Sequence, residues 1–277
     1  MNILAIDIGG TKLAVGIVRE DGSLVEARTC RTPSDEIFAA LIALCEDLEG
    51  FDAVGVGCGG PMTPRGERVS PLNIPSWRGF PLRARLTEQF SVPVFIDNDA
   101  KALALAEGWT GAAAGVRNYI GMVVSTGIGG GIVCDGRLLD GGSGNAGHIG
   151  HVIVEPDGHV CGCGARGCVE AEASGSAIAR ITGRSPRDAT PDVVARTGML
   201  VGRAVASVAN LLDLDLAVVA GSVALGFGDP FFAAAQAEID ARCRLEFSRG
   251  TRIVPGALGA DGPLIGAAAV ALEPDVR

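Results

Sequence analysis

The chain has 277 residues, of which 41 are glycine, and its 23 basic residues stand against 32 acidic ones. This length is enough for one large domain or two ordinary ones, so no disulfide or metal is needed merely to form a core. The formal net charge of −9 and the absence of a basic cluster disfavour a nucleic-acid-binding surface. No segment approaches the roughly 18 apolar residues of a membrane span, and no leader precedes the first apolar run, so we expect a cytoplasmic protein.

The first half of the chain predicts strands separated by glycine-rich turns and two helices. The predicted strands are 3–7, 13–18, 24–28, 53–57 and 92–96. Gly9-Gly10 turns the chain after the first strand, and Asp21-Gly22 is a hairpin signal before the third. Apolar residues at helical spacing follow Ser34, and Asn98 is placed to cap a helix that ends near Gly108.

The second half repeats this pattern more loosely, starting at Tyr119. Predicted strands are 119–124, 131–135, 149–154, 216–220 and 252–254, and predicted helices are 200–212, 230–243 and 264–272. We therefore expect a duplicated α/β fold with two lobes and a cleft between them that can hold a triphosphate. We expect a small lobe of residues 1–112 plus 262–277 and a larger lobe of residues 113–261.

Three glycine-rich turns are candidate phosphate-binding loops, because backbone N–H groups can approach phosphate oxygens where no Cβ intervenes. The first contains Asp7, Gly9, Gly10, Thr11 and Lys12; the second contains Ser125, Thr126 and Gly127; the third contains Gly221 and Ser222. Asp7 ends a buried strand, where a carboxylate is costly unless it faces a cation such as Mg²⁺. The alternative for each loop is an ordinary turn, with Asp7 accepting hydrogen bonds from turn N–H groups.

Asn98 and Asp99 stand where a predicted strand ends and a helix begins. As a helix-capping pair they need no further explanation. Alternatively, Asp99 accepts a hydroxyl proton during phosphoryl transfer, a reaction that asks little of a protein beyond a base, charge stabilisation and in-line positioning.

A cluster of three cysteines predicts a metal site. Cys161, Cys163 and Cys168 are separated by glycines, and His151 lies upstream. Three thiolates and an imidazole suit a closed, structural Zn²⁺ site. His159 is a rival ligand, but its short separation from Cys161 would crowd the turn, so His151 is preferred. The alternative is three reduced thiols that bind nothing.

Together these motifs resemble the ROK family (repressors, open reading frames, kinases). The resemblance rests on Asp7–Lys12, Asn98-Asp99-Ala100, the 125–131 loop, Gly147–His151 and the segment from Cys161 to Glu170, in family order. It implies an actin-like (ribonuclease H-like) sugar kinase that uses ATP and Mg²⁺ to phosphorylate the C6 hydroxyl of a hexose. It also implies a homodimer.

The resemblance implies site residues as well. Asp99 is the expected base, and His151 is expected both to ligate zinc and to touch the sugar. The remaining sugar-side positions are Gly60, Asn73, Asn98, His148 and Glu170.

His148 departs from the glucokinase-like members of the family, which usually carry glutamate at that position. Family members that phosphorylate N-acetylmannosamine resemble this chain better there. An imidazole offers one donor and one acceptor where a carboxylate accepts two hydroxyls, so the recognised hydroxyl pattern should differ. The sequence therefore favours N-acetylmannosamine, with glucose as the alternative and a neutral exchange within one specificity left open.

The same family contains sugar-responsive repressors and could contain non-catalytic sugar sensors. Repressors carry an additional N-terminal DNA-binding segment, whereas the first strand here begins at residue 3 in an acidic chain. Asp99 argues against a sensor without activity. The segment 175–201 is short for the family, which affects the expectations for dimerisation and selectivity.

Overall fold

The computed structural model describes residues 1–272. Its strands are β1 (Asn2–Ile8), β2 (Lys12–Arg19), β3 (Leu24–Arg31), β4 (Ala53–Cys58), β5 (Val94–Asn98), β6 (Tyr119–Val124), β7 (Ile128–Cys134), β8 (Arg137–Leu138), β9 (Leu216–Ala220) and β10 (Arg252–Pro255). Its α-helices are α1 (Ile37–Leu44), α2 (Leu82–Phe90), α3 (Asp99–Trp109), α4 (Val169–Ala173), α5 (Gly175–Thr182), α6 (Pro191–Leu212), α7 (Ser222–Phe227), α8 (Asp229–Arg242) and α9 (Gly262–Leu272).

The strands form two five-stranded sheets with the same topology. The first has the order β3-β2-β1-β4-β5 and the second the order β8-β7-β6-β9-β10. In the first sheet β1 pairs antiparallel with β2 and β2 with β3, while β1, β4 and β5 run parallel. In the second sheet β6 pairs antiparallel with β7 and β7 with β8, while β6, β9 and β10 run parallel. The predicted duplication is therefore confirmed at the level of strand order and direction.

Contacts group the chain into two compact units. Among the described residues, unit 1 consists of 1–111, the short segment 140–146 and 258–272, and unit 2 consists of 112–139 and 147–257. In unit 1, apolar residues of α9 pack on the sheet (Leu264, Ala267, Ala268 and Ala271 against Ile3 and Ala5). In unit 2, α6 and α8 cover the second sheet and bury residues such as Leu200, Val205 and Phe231. No helix within residues 1–272 combines the length and apolarity of a membrane-spanning segment.

Two predictions of local structure were wrong. The segment 149–154 is not a strand; it contains a 3₁₀ turn at Ile149–His151, and the third strand of the second sheet is β8. Asp135 and Gly136 both adopt positive φ, at 54° and 77°, which closes a tight β7–β8 hairpin. Asp-Gly is a strong hairpin signal, and the sequence analysis did not use it at this position.

The second error concerns helices that the sequence analysis did not predict, among them α2, α4 and α5. Helix α2 has few apolar residues and buries only Leu82 and Leu86. Because its apolar stripe is so narrow, periodicity alone does not separate it from a polar loop.

Candidate functional site

The carboxyl edge of the first sheet carries the acidic candidates. Asp7 near the end of β1 is opposite Gly57 in β4, and Gly57 is opposite Asp97 in β5. A Cβ atom on Gly57 would lie 3.8 Å from Oδ1 of Asp7 and 3.6 Å from the Cα atom of Asp99. Unit 1 thus brings two predicted site residues, Asp7 and Asp99, to the same edge of one sheet.

Burial and charge perturb Asp7. Burial, and secondly the neighbouring Asp99 carboxylate, raise the pKa of Asp7 to about 7, against a smaller opposing effect of Lys12. The buried thiol of Cys58 next to them also has a raised pKa, first through burial and then through Asp99 and Asp7. A cation at this position would relieve the repulsion between the carboxylates, so the residues fit the predicted Mg²⁺.

Asp99 is the first residue of α3, and Asn98 caps that helix. The Asn98 side chain accepts a hydrogen bond from the Ala100 N–H at 3.0 Å, and Asp99 Oδ1 accepts from the same group at 2.8 Å. Asp99 is exposed, whereas the following residue is buried. The capping prediction for Asn98 is confirmed, and Asp99 places an exposed carboxylate at the helix N-terminus.

The first candidate phosphate loop is a tight turn fixed by its neighbours. Gly9 N–H donates to the Lys12 carbonyl, and the Thr32 hydroxyl donates to the Gly9 carbonyl at 2.7 Å. A Cβ on Gly10 would lie 2.4 Å from the Cβ of Asn73, so only glycine fits there. Thr11 and Lys12 are exposed on the turn, and unit 1 places predicted sugar-side Asn73 directly against the predicted phosphate loop.

Gly60 lies in the same unit, at the turn after β4. Its carbonyl accepts a hydrogen bond from the Leu72 N–H at 3.3 Å, next to Asn73. The segment that carries Gly60 and the segment that carries Asn73 are therefore joined by backbone contacts.

The other two candidate loops meet in unit 2. The hydroxyls of Ser125 and Ser222 lie 3.0 Å apart. Gly221 has φ of 100°, and a Cβ there would lie 2.4 Å from the Val124 carbonyl oxygen, so glycine is required on both counts. The N–H of Ser176 donates to the carbonyl of Thr126, which ties the second loop to the start of α5.

Glu170 links the cysteine segment to the second loop. Its Oε2 accepts a hydrogen bond from the Ile128 N–H at 3.0 Å, and a Cβ on Gly127 would come within 3.0 Å of the same oxygen. The sequence analysis expected Glu170 to bind sugar hydroxyls. In the structure one of its carboxylate oxygens accepts a hydrogen bond from the backbone next to the second loop.

Unit 2 brings together the four predicted metal ligands. The ligand atoms of His151, Cys161, Cys163 and Cys168 all lie within 4.8 Å of one another. The Cys163 and Cys168 sulfurs are 3.7 Å apart, as are the Cys161 sulfur and His151 Nδ1. Two thiolates at Zn–S distances of about 2.3 Å in a tetrahedron lie about 3.8 Å apart, so the donor set fits zinc in type and spacing.

His159, the rival ligand, has a different partner. Its Nδ1 lies 2.9 Å from Oε1 of buried Glu172, and its backbone N–H donates to the same oxygen. Although burial would raise the pKa of Glu172, the bonds from His159 and from Arg196 hold it below the usual value. His148 is exposed, and its ring centroid lies 6.2 Å from that of His151.

The sequence analysis missed a buried lysine beside the candidate base. Lys101, only 1% exposed, pairs with Asp97 at 3.2 Å and with Asp140 at 2.6 Å, and it also donates to the Gly144 carbonyl. Asp140 and Gly144 belong to the segment 140–146, which we call the strap. Lys101 follows Asp97 by four residues, a spacing that favours an ion pair, but nothing in the sequence pointed to Asp140.

The chain is similar to two named sugar kinases. A glucokinase of Thermotoga maritima is 40% identical over 189 residues, which cover 65% of this chain but only 59% of that protein's length. An N-acetylmannosamine kinase of Citrobacter koseri is 38% identical over 253 residues, covering 82% of this chain and 86% of that protein.

Solved structures show the same fold. A ROK hexokinase from Thermus thermophilus is similar over 98% of this chain and 97% of that one, with a TM-score of 0.88 and 33% identity. A ROK glucokinase from Streptomyces griseus, solved with glucose and AMPPNP, is similar over 97% of this chain and 98% of that one, with a TM-score of 0.81 and 29% identity. The fold is thus the actin-like α/β fold of these kinases. The sequence profile of the ROK family matches residues 3–274, and the chain belongs to this family.

Proposed function

We propose that this protein is a sugar kinase that transfers the γ-phosphoryl group of ATP to the C6 hydroxyl of a hexose. The observation that carries the proposal is the pair of carboxylates at one sheet edge, exposed Asp99 and largely buried Asp7, next to a glycine-rich turn. Relatives named glucokinase and N-acetylmannosamine kinase, at 40% and 38% identity, support it.

In this mechanism Asp99 accepts the proton of the C6 hydroxyl while the sugar oxygen forms its bond to phosphorus and the bond to the leaving ADP oxygen breaks. The partial positive charge of the helix N-terminus favours a carboxylate at the position of Asp99. Polar groups that would hold the sugar hydroxyls are Gly60, Asn73, Asn98, His148, His151 and Glu170.

The nucleotide is assigned to the glycine-rich loops. Backbone N–H groups and hydroxyls of Gly9, Gly10, Thr11, Ser125, Thr126, Gly127, Gly221 and Ser222 would bind phosphate oxygens, and the Lys12 ammonium would face them. Asp7 would hold Mg²⁺, whose charge offsets that of the phosphates when it is bound.

Zinc is assigned to His151, Cys161, Cys163 and Cys168. Four protein ligands leave no open position, so the metal would organise the loop that carries Glu170 and not activate water. The spacing of the sulfur atoms supports this assignment.

The proposed substrate is N-acetylmannosamine, with glucose as the second candidate. The relative that covers more of this chain, at 82%, is named N-acetylmannosamine kinase, and His148 is exposed next to His151. Glutamate accepts two neighbouring hydroxyls, whereas imidazole pairs with one donor and one acceptor. His148→Glu should therefore shift the ratio of kcat/KM towards glucose by about tenfold or more. An unchanged ratio would remove His148 from sugar recognition.

The direct test is a screen of ADP release. Purified protein with ATP and Mg²⁺ should turn over N-acetylmannosamine or glucose, and phosphorus NMR of the product should locate the ester at C6. A sugar panel that includes hexoses blocked at C6 serves as the control. Absence of ADP release with every sugar would reject the kinase in favour of a non-catalytic sugar sensor. Light scattering checks the proposed homodimer.

A further inference from the structure

Two cations face each other at the end of the first sheet. Lys12 of β2 and Arg31 of β3 are directly opposite in the antiparallel pair, so their side chains leave the same face. Both are exposed, and within the described residues 1–272 the Arg31 side chain forms no hydrogen bond or ion pair. Like charges at directly opposed positions repel, and an anion shared between them offsets that repulsion.

This cation pair is fixed to the candidate phosphate loop. The residue after Arg31, Thr32, donates its N–H to the Thr11 carbonyl at 3.1 Å and its hydroxyl to the Gly9 carbonyl. Because β3 runs parallel to β1, Arg31 stands at the same sheet edge as Asp7. The edge is therefore cationic at β2 and β3, and acidic from β1 to β5.

A cavity of about 850 Å³ opens beside Arg31. No carboxylate is among the described residues that line it, although Asp35 near its rim accepts a hydrogen bond from the Ser34 hydroxyl. Its polar wall includes Arg31, Thr32, Ser34, Asn73 and Ser76, and Gly10 forms part of its floor. Small-molecule sites commonly have about 300–1,000 Å³, so the cavity is larger than a phosphate ion requires and holds a hexose.

We infer that Lys12 and Arg31 bind the phosphate group of a phosphorylated hexose, with the sugar in the cavity against Asn73. The inference deepens the proposed function and rests on it for the identity of the sugar. No sequence motif predicted a role for Arg31. Its guanidinium offers paired donors that match phosphate oxygens, whereas the Lys12 ammonium adds a point charge. Strands β1 and β4 separate this cation pair from Asp99, so a phosphate bound here is not at the position of phosphoryl transfer. A phosphorylated hexose held in this way would occupy the cavity against Asn73 and compete with the sugar substrate, which would be measured as product inhibition.

The test compares Arg31→Ala with Arg19→Ala, a control that removes an exposed arginine at the other end of the neighbouring strand β2. Calorimetry measures binding of glucose 6-phosphate, N-acetylmannosamine 6-phosphate, the two neutral sugars and tripolyphosphate. Arg31→Ala should weaken the better sugar phosphate by about tenfold or more and leave the neutral sugars unchanged. Arg31→Lys should fall between, and Arg19→Ala should match wild type.

Thermal unfolding without ligand supplies a second readout. Since Arg31 repels Lys12, Arg31→Ala should unfold at the same temperature as wild type or higher, while its stabilisation by sugar phosphate should shrink. A lower unfolding temperature without ligand would contradict the repulsion between the two cations. Unchanged affinity for both sugar phosphates would overturn the inference, and a loss confined to tripolyphosphate would assign Arg31 to the nucleotide instead.

The two proposals fail separately. If wild type phosphorylates a sugar but Arg31→Ala shows the same binding and product inhibition, only this inference falls. If wild type binds sugar phosphates through Arg31 yet releases no ADP with any sugar, the kinase proposal falls and the phosphate site stands.

Discussion

The raised pKa of Asp7 follows from where β1 ends. The Asp7 carboxylate is largely buried beside Gly57 of β4 and lies near the Asp99 carboxylate. Burial and the charge of Asp99 both disfavour the ionised form of Asp7. An acid whose folded pKa lies above its unfolded value adds stability at low pH and loses it as pH rises through the folded pKa. For Asp7 that loss runs from the ordinary aspartate pKa of 3.8 to its folded pKa of about 7.

We therefore predict that Asp7→Asn is close to neutral at pH 4 and stabilising at pH 8 in metal-free buffer. The difference at pH 8 should be on the order of 4 kcal/mol, because the pKa of Asp7 is raised from 3.8 to about 7 and one pKa unit corresponds to about 1.4 kcal/mol. Chemical denaturation of both proteins at the two pH values measures it. Added Mg²⁺ should stabilise wild type at pH 8 and not the variant; an equal effect on both would remove Asp7 from the metal site.

Substitution of Asp99 distinguishes a catalytic base from a residue that only caps the helix. Asp99→Asn keeps an oxygen for the Ala100 N–H but cannot accept a proton, so kcat should fall by roughly 10²–10⁴ with sugar binding and stability nearly unchanged. Steady-state kinetics and calorimetry measure these quantities. The variant should also lower the pKa of Asp7, since the Asp99 charge helps to raise it. Near-normal turnover would reduce Asp99 to a structural residue.

At the scale of elements, the cysteine segment is short and irregular, held by two isolated bridges, Val160 with Arg166 and Ile153 with Cys168. Such a segment buries little apolar surface, so its order should depend on zinc. It leads directly into α4, which carries Glu170 and its bond to the second loop. Loss of the metal should consequently reach the phosphate loop through Glu170.

Cys163→Ser should reduce zinc content from about one ion per chain to well below it. The unfolding temperature should fall on the order of 5 °C, and activity should be lost with the metal. Elemental analysis and calorimetry measure both. Cys134→Ser is the matched control, because Cys134 is a partly buried thiol outside the cluster, and it should keep its zinc. A wild-type protein that is active without zinc would contradict the assignment.

The buried ammonium of Lys101 joins the strap to α3 through Asp140 and the Gly144 carbonyl. Lys101→Met leaves Asp97 buried without its cation, and breaking such a pair costs about 3–5 kcal/mol. Asp97→Asn in the same chain removes the stranded charge and keeps an acceptor for the Asn98 N–H, so the double variant should recover part of the loss. Urea denaturation of wild type, the single variant and the double variant measures this. If both variants are equally unstable, the cost comes from packing and not from charge.

At the scale of the whole molecule, the features that could be predicted from the sequence are those formed by residues close together in the chain. Buried apolar runs such as Leu216–Ala220 and glycine turns such as Gly9-Gly10 gave most strands and the duplication, and Cys161, Cys163 and Cys168 pointed to one cluster. Contacts between residues far apart in the sequence could not be predicted from it. The pairing of Lys101 with Asp140 joins residues 39 apart, and the opposition of Lys12 and Arg31 depends on strand register. The functional roles of the site residues stay predictions.

The strap also limits which recombinants between related genes can encode a stable protein. Unit 1 is written in three separate stretches of the chain, so a single crossover between two related genes cannot exchange it whole. A crossover near residue 111 would join Lys101 from one parent to Asp140 from the other. Chimeras should therefore remain stable only where both parents carry a compatible pair at these two positions, and the two codons should pass together through recombination.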